Sequence, residues 1–426
     1  MPDILHRITE ITALEILDSR GRPTLQVSVQ LASGARGRAA VPSGASTGSR
    51  EAAELRDGDQ HRFAGLGVQN AVASVRGEIS SQLTGAWWPS LAQIDAAMIE
   101  LDGTPGKSRL GANAILGVSM ACARALAEAA GMQLWQWLTP RGVLPRLPVP
   151  HFNVVNGGVH APNDLDFQEF MIAPLGAGSL PAAIQAGAEV YGVLRSLLAG
   201  KGYATGLGDE GGFAPQISEP EEVLELLVTA ISDAGYEPGR DGIAIALDPA
   251  ASEFRRRPGW YEVGSTMLSS AQMIERYAEI VERFPVWLIE DGLAEDDWEG
   301  WAELTARLGD RVQLVGDDIF VTSPAIIAEA IGKGIGNAAL IKLNQVGTVT
   351  ETLQAIATCR HGKYAQLISH RSGETTDTFI ADLAVSSGCG ELKAGAPARG
   401  ERVAKYNRLL EIAAAQPDMP FGTPPA

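Results

Sequence analysis

The chain has 426 residues, of which 34 are basic and 51 acidic, giving a formal net charge of −17. Nucleic acids and anionic membranes bind basic faces, so neither kind of partner is expected. Hydrophobic residues make up 45% and charged residues 20%, as in an ordinary globular protein with a large core. The length predicts two or three domains, one of which could be an α/β barrel of about 250 residues.

The three cysteines, Cys122, Cys359 and Cys389, are far apart and odd in number. This favours free thiols in a reducing compartment over a disulfide framework or a zinc site. The N-terminus lacks an apolar stretch behind a basic start, and no run of about 18 apolar residues follows. Neither a signal peptide nor a membrane span is therefore expected, and the cytoplasm is the predicted location.

The first 140 residues predict a small α+β unit. Residues 24–31 alternate apolar and polar side chains, the period of a half-buried strand, and residues 18–23 before them predict a turn. The Ala-rich stretch 109–130 predicts a long buried helix. The loop Ser43-Gly44-Ala45-Ser46-Thr47-Gly48 is flexible and polar, and it could be an ordinary loop or a lid.

Four prolines within residues 140–150 predict a domain boundary, because a helix or a central strand would not hold so many. The predicted domains are therefore residues 1–140 and residues 141–426. Residues 416–426 contain four more prolines and predict an extended tail.

Short apolar runs in the second domain predict strands buried on both faces, as in a parallel sheet. Each run ends in a charged or polar side chain, and these are Asp248, Glu290, Asp317, Lys342, His370 and Lys393. Most are 23 to 28 residues apart, close to the length of one βα unit, although the first step is 42 residues. The pattern predicts a (β/α)8 barrel, in which the C-terminal strand ends meet at one mouth.

The polar strand ends predict a metal-dependent site. Three carboxylates so close would need a cation between them, and oxygen ligands without Cys or His suit Mg²⁺. Lys342, in an apolar run beside these acids and Lys393, is expected to have a lowered pKa and to act as a general base. Arg371 and Ser372 suit a phosphate or carboxylate, although a helix start is the commoner meaning of an isolated Arg-Ser.

Two segments resemble nucleotide-binding motifs, but neither is predicted to bind a nucleotide. Residues 206–211 match G-x-G-x-x-G, but no strong strand precedes them and two acids in the loop would repel a pyrophosphate. This loop is better interpreted as one that brings Glu210 to a ligand. The Gly106-Lys107-Ser108 segment lacks the first glycine of a P-loop, since residue 101 is leucine.

Motifs along almost the whole chain resemble the enolase family, in order and with similar spacing. They are Asp18-Ser19-Arg20-Gly21, SGASTG, KSRLGANAILGVS (107–119), VNGGVHA (155–161), QEFMIAP (168–174), GDEGGFAP, LIEDGLAEDDW, VGDD, LIKLNQ, SHRSGET and RVAKYN (402–407). The resemblance implies an α/β protein, with an N-terminal α+β capping domain on a C-terminal TIM-like barrel. It implies that the barrel begins with a hairpin and two helices. The implied activity is the reversible dehydration of 2-phospho-D-glycerate to phosphoenolpyruvate, in glycolysis and gluconeogenesis.

The resemblance also implies roles for particular residues. Lys342 corresponds to the base that removes the C2 proton, and Glu210 to the acid that protonates the leaving hydroxyl, assisted by Glu169. The first of two Mg²⁺ ions would be bound by Asp248, Glu290 and Asp317, and the second by the lid residue Ser46. The remaining matches are active-site or substrate-binding residues, namely Gln168, His160, His370, Arg371, Ser372 and Lys393.

Four positions depart from the family pattern without removing a proposed catalytic group, and these are Val159, Pro162, Ala394 and Gly400. Three alternatives stay open. They are another acid-sugar dehydratase or racemase of the same superfamily, a paralogue serving another pathway, and a non-catalytic role at the cell surface or in an RNA-processing complex. The family forms homodimers and octamers, and the sequence does not decide between them.

Overall fold

The computed structural model describes residues 5–44 and 48–423. An α+β domain comes first, with a four-stranded sheet in the order β3-β2-β1-β4 and antiparallel pairs throughout. Its elements are β1 His6–Leu17, β2 Pro23–Leu31, β3 Arg36–Ala40, α1 Gln69–Ser74, α2 Ser80–Leu83, β4 Trp87–Trp88, α3 Leu91–Asp102, α4 Ala112–Ala129 and α5 Leu134–Leu138. A π-helical turn, Val75–Ile79, joins α1 to α2.

The predicted strand and long helix of this domain are confirmed as β2 and α4. Helix α4 lies directly on the sheet because small residues at the contact let the two backbones approach closely. A Cβ atom added at Gly37 of β3 would lie 1.9 Å from the carbonyl oxygen of Ala121 in α4. The contact buries most of α4, including Ile115, Leu116 and Val118. The helix and the sheet thereby share one core.

Eight strands close a barrel in the order β11-β12-β13-β14-β15-β5-β6-β7. The elements of this part are β5 Val149–Asn156, β6 Glu169–Ala173, α6 Leu180–Gly200, α7 Pro220–Asp233, β7 Ala244–Asp248, β8 Arg255–Arg257, β9 Trp260–Val263, β10 Thr266–Ser269, α8 Ser270–Arg283, β11 Val286–Glu290, α9 Trp298–Leu308, β12 Gln313–Gly316, α10 Pro324–Lys333, β13 Ala338–Ile341, α11 Leu343–Val346, α12 Val349–His361, β14 Ala365–Ser369, α13 Phe379–Ser387, β15 Glu391–Lys393 and α14 Gly400–Ala415. The predicted barrel is confirmed.

The barrel is irregular at its start, as the family resemblance implies. Strand β6 is antiparallel to both β5 and β7, and α6 and α7 stand between β6 and β7. The other neighbouring strands are parallel. The 42 residues between Asp248 and Glu290 exceed the length of one βα unit because β8, β9 and β10 form a separate antiparallel sheet between β7 and α8.

Two of the proline-rich segments are held by backbone hydrogen bonds. Pro150 lies inside the barrel strand β5, where it pairs in register with Leu392. The amide of Val149 donates to Gly390, directly before β15, so the proline nitrogen faces β6, whose pairing with β5 starts only at Phe152. No ladder hydrogen bond is lost there. The described end of the tail is also fixed, because the amide of Leu147 donates to Pro420 and the amide of Gly422 donates back to Leu147.

Within the described ranges, no helix is long and apolar enough to cross a membrane.

Candidate active site

The polar strand ends meet at the C-terminal mouth of the barrel, as predicted. Asp248 and Glu290 are the last residues of β7 and β11, and Lys393 is the last residue of β15. Asp317 and Lys342 each follow directly after a strand, β12 and β13, so Lys342 lies just beyond its strand and not inside it. All of these side chains are buried except Lys342, which is partly exposed.

Lys393 lies at the centre of an acidic cluster. Its Nζ atom is 2.7 and 2.8 Å from the two carboxylate oxygens of Glu290, 3.1 Å from Glu169 and 3.6 Å from Asp248. Burial disfavours the ammonium charge, but the carboxylates outweigh burial and raise the pKa of Lys393 well above its usual value. Lys393 is therefore a fixed cation at the mouth.

Among the described residues, Lys342 forms a single ion pair, with Asp317. Gln345 donates to the other oxygen of that carboxylate over 2.7 Å. Burial lowers the pKa of Lys342, but Asp317 raises it more, so that the net shift is upward. The expected lowered pKa is thus wrong for this arrangement, in which the base candidate is paired and protonated.

Three further groups form a second cluster at the mouth, His160, Glu169 and Glu210, whose ligand atoms all lie within 4.8 Å of one another. His370 lies beside it, with Nε2 3.2 Å from Glu210 Oε2. Arg402 faces Nδ1 of His370 at 2.5 Å. A guanidinium can only donate, so Nδ1 accepts and the ring proton is on Nε2, directed at Glu210. Burial lowers the pKa of His370 to about 4, and the ring is neutral at pH 7.

The anion-binding candidates lie between the two domains. Arg371 of the loop after β14 donates to both carboxylate oxygens of Glu51, over 3.0 and 3.2 Å. Glu51 follows the SGASTG loop of the first domain, while Ser372 is buried beside Arg371. Ser46 lies outside the described residues. The described Ser43 before it exchanges two backbone hydrogen bonds with Gly373, both 2.8 Å.

Comparison with known proteins agrees with this architecture. Residues 8–138 match the family model described as "Enolase, N-terminal domain", and residues 145–419 match "Enolase, C-terminal TIM barrel domain". A protein named "Enolase" from Acidothermus cellulolyticus is 55% identical over 406 residues, which cover 95% of this chain and 94% of that protein.

The chain belongs to the enolase family. Enolases are phosphopyruvate hydratases, a class of carbon–oxygen lyases, so the chain is an enzyme of glycolysis. The enolase motifs of the sequence thus lie where the fold brings them together. One small cavity, of about 20 Å³, is lined by Ser369 and by residues that the sequence predicted, and these are His160, Gln168, Glu169, Glu210, Asp248, Lys342, His370, Arg371, Ser372 and Lys393.

The carboxylates of the enolase mouth fit a hard divalent cation in their chemistry. Burial and the neighbouring Glu290 raise the pKa of Asp248 well above its usual range, and burial also raises that of Glu290. Lys393 lies beside both acids, but its charge does not offset burial and the neighbouring carboxylates. Asp248, Glu290 and Asp317 do not form a triplet with all ligand atoms within 4.8 Å, and each is paired with a lysine, Asp248 and Glu290 with Lys393 and Asp317 with Lys342. Binding of a cation would therefore require Lys342 and Lys393 to be rearranged.

Glu169 is the weaker acid of the acid cluster. Burial raises the pKa of Glu169 well above its usual value, and the nearby Glu210 raises it further. Burial also opposes charge on Glu210, but His370 and His160 outweigh it and lower the pKa of that carboxyl. Asn153 donates over 2.9 Å to Oε2 of Glu210, the oxygen that His370 faces. Two carboxyls this close do not both ionise, so the pair holds one proton.

Sequence reasoning missed three groups that position the site. Glu51 pairs with Arg371, and its signal was an acid shortly after the SGASTG loop. Asp291 accepts the backbone amides of Asp317 and Asp318 over 2.8 and 2.9 Å, which fixes the turn after β12. Arg402, fully buried, donates to the carbonyls of Arg371 and Ser372 over 2.6 Å each. Only the fold shows which of many acids and arginines do this.

Proposed function

We propose that the mouth of this enolase barrel carries out the reversible dehydration of 2-phospho-D-glycerate to phosphoenolpyruvate, with Lys342 as base and Glu210 as acid. The observation that supports this most directly is that both side chains line one buried cavity with Arg371 and Lys393. The cavity therefore joins a base, an acid pair and two cations for an anionic substrate.

Lys342 removes the C2 proton once Asp317 is withdrawn from it. The electron pair left at C2 forms the C2–C3 double bond as the C3–O bond breaks. The Glu169–Glu210 pair supplies its single proton to the departing hydroxyl, which leaves as water. Glu210 delivers this proton, and Glu169, which holds it at rest, is its source. The reverse reaction uses the same groups with their protonation states exchanged.

Charge on the substrate is balanced by cations of the chain. Arg371 provides a planar fork for the phosphate, and the hydroxyl of Ser372 lies beside it. Lys393 lies at the substrate carboxylate, whose charge doubles when the C2 proton is lost. Gln168 and the neutral His160 contact the substrate from the β6 side. The buried Oε1 of Gln168 accepts no hydrogen bond in the described chain and is available for this contact.

We propose that Asp248, Glu290 and Asp317 hold one Mg²⁺ and that Ser46 contributes to a second. When bound, such cations stabilise the negative charge that develops on the substrate carboxylate. Their charge would also replace that of the lysines beside these acids. Withdrawal of Asp317 then leaves Lys342 without the partner that raises its pKa.

Several coarser features follow from the same assignment. We divide the chain into a capping domain of residues 1–140 and a catalytic domain of residues 141–426. The small-molecule substrate and the buried free thiols of Cys122, Cys359 and Cys389 support action in the cytoplasm. A homodimer or an octamer is the expected assembly, without nucleic-acid or membrane partners. A secondary presence at the cell surface stays a prediction.

The test is direct. The purified chain is mixed with 2-phosphoglycerate and Mg²⁺, and the ultraviolet absorbance of the enol product is followed. A rise that depends on the chain supports the proposal. Turnover of an acid sugar but not of 2-phosphoglycerate would instead indicate another dehydratase of the superfamily. The 55% identity to a protein named enolase argues against this alternative.

A further inference from the structure

A cavity much larger than the one at the mouth lies elsewhere in the described chain. It measures about 940 Å³ and lies at the opposite, N-terminal end of the barrel. Gln313, Ala365 and Glu391, which line it, are the first residues of β12, β14 and β15. It shares no lining residue with the cavity at the mouth. Its chemistry is therefore independent of the dehydration site.

Five cations line this cavity, and they form what we call the basic rim, Arg146, Arg240, Arg311, Arg360 and Lys363. Among the described residues, none of the five lies within 4.0 Å of a carboxylate as an ion pair. Asp310 and Glu391 are the only acids in the lining. In a chain of net charge −17, an arrangement of five cations without acidic partners creates a local positive potential.

The floor of the cavity consists of buried polar side chains with unused hydrogen-bonding atoms. Trp287 is 6% exposed and Glu391 is 1% exposed. Gln313 donates to Glu391 Oε1 over 2.8 Å. In the part of the chain that the structure describes, three floor atoms have no hydrogen-bond partner, Trp287 Nε1, Glu391 Oε2 and Gln313 Oε1. Such atoms usually mark a place where a ligand or ordered water binds.

We propose that this cavity binds a phosphorylated small molecule, with its phosphate on the basic rim and an uncharged hydrogen-bonding group on the floor. Arginine is well suited to phosphate, because its planar fork offers paired donors. The floor offers both donor and acceptor atoms, which match a sugar hydroxyl or a nucleobase edge. The volume is within the range of small-molecule sites.

Isothermal titration calorimetry in a buffer containing a chelator tests the rim. Inorganic pyrophosphate is the probe, and it is titrated into the natural chain and into Arg371→Ala, which removes the phosphate-binding arginine of the mouth. We expect binding in both. The double variant Arg311→Ala/Lys363→Ala should weaken it at least tenfold while leaving dehydratase activity unchanged. Unaltered binding in this variant would overturn the proposal.

A matched control separates a built site from general charge. Arg36 and Arg38 are two exposed arginines of β3, so Arg36→Ala/Arg38→Ala removes the same charge from the other domain. Its pyrophosphate affinity should equal that of the natural chain. An equal loss in both double variants would mean that pyrophosphate responds only to net charge, and the site would be rejected.

The floor is tested with glucose 6-phosphate and adenosine monophosphate. We expect at least one to bind more tightly than inorganic phosphate, with a change in tryptophan fluorescence that is lost in Trp287→Phe. That variant keeps an aromatic ring near the floor but removes the indole donor. If neither compound exceeds inorganic phosphate, the organic part of the proposal is wrong and the cavity takes inorganic anions alone. If pyrophosphate also fails to bind, the whole proposal falls.

Discussion

Lys342 contacts one carboxylate and Lys393 contacts three, and this difference separates their proposed functions. An ammonium held by three acids does not release its proton readily, so Lys393 serves as a permanent charge. Lys342 has only Asp317 to lose before its buried environment favours the neutral amine. At the scale of single residues, then, the number of partners distinguishes the base from the cation.

The exchange of the C2 hydrogen with deuterated water tests this assignment. Lys342→Ala should abolish both elimination and exchange, because no other group removes the proton. Glu210→Gln should abolish elimination but keep measurable exchange, because Lys342 is still present. Proton NMR of 2-phosphoglycerate incubated with each variant reports both. Exchange by Lys342→Ala but not by Glu210→Gln would show that the two roles are reversed.

The carboxylates at the mouth predict a dependence on divalent cations. Activity should vanish with a chelator and return with Mg²⁺, since clustered buried acids need positive charge. Asp317→Asn should lower turnover by orders of magnitude while the circular dichroism spectrum stays that of the natural chain. Near-normal activity in metal-free buffer would contradict the assignment of Asp248, Glu290 and Asp317.

At the scale of elements, the loop after β14 is held from two directions. Helix α14 ties it from the barrel side through Arg402 and through Lys405, whose Nζ donates to Glu374 over 2.8 Å. The first domain ties it through the Ser43–Gly373 backbone pair and through Glu51. The carboxylate of Glu51 takes the place beside Arg371 that a phosphate would take. Under the proposed function, binding of the substrate phosphate at Arg371 therefore competes with this contact between the domains.

Glu51→Gln tests the competition. The amide still accepts from the Gly48 backbone, as Glu51 Oε1 does over 3.2 Å, but it no longer offers Arg371 a charge. Inorganic phosphate, whose inhibition constant is measured by steady-state kinetics, should bind several-fold more tightly. Glu54→Gln is the matched control, because Glu54 pairs with Arg56 and not with Arg371. Unchanged or weaker phosphate inhibition in Glu51→Gln would contradict the idea.

At the scale of the whole molecule, the barrel interior is polar at both ends. The mouth holds its acids with lysines, whereas Glu391 at the other end has only the amide of Gln313 as a hydrogen-bond partner. Burial raises the pKa of Glu391 to about 8. A folded carboxyl with such a pKa stays protonated where the unfolded chain has already ionised. Its contribution to stability is therefore present at low pH and lost as the pH rises.

Glu391→Gln should consequently gain stability relative to the natural chain between about pH 5 and pH 8. Across this window the free energy of unfolding of the variant, relative to the natural chain, rises by about 1.4 kcal/mol for each pH unit. The total relative gain is on the order of 4 kcal/mol. The neutral amide keeps an oxygen for Gln313. Urea unfolding at several pH values measures the difference, with the exposed Glu303→Gln as control. A difference that does not grow with pH would show that Glu391 is ionised in the folded chain.

The sequence by itself determined the class of the barrel and predicted most of the groups that lie at its mouth. Apolar runs of strand length ending in Asp248, Glu290, Asp317 or Lys342 place these groups at one mouth, because parallel strands point their C-terminal ends the same way. The alternating pattern of residues 24–31 likewise located β2. These are local or periodic signals, and they can be extracted without knowledge of distant contacts.

The tertiary structure alone decided which of these groups are partners. Lys393 meets Glu169, 224 residues away, and Glu51 meets Arg371 across 320 residues. No local pattern encodes such pairs, and the charge of a buried group depends on them. The upward pKa shifts of Lys342 and Glu169 thus reversed or refined the sequence expectations. Pro150 entered a barrel strand for the same reason, since only the register shows that its nitrogen faces no ladder partner.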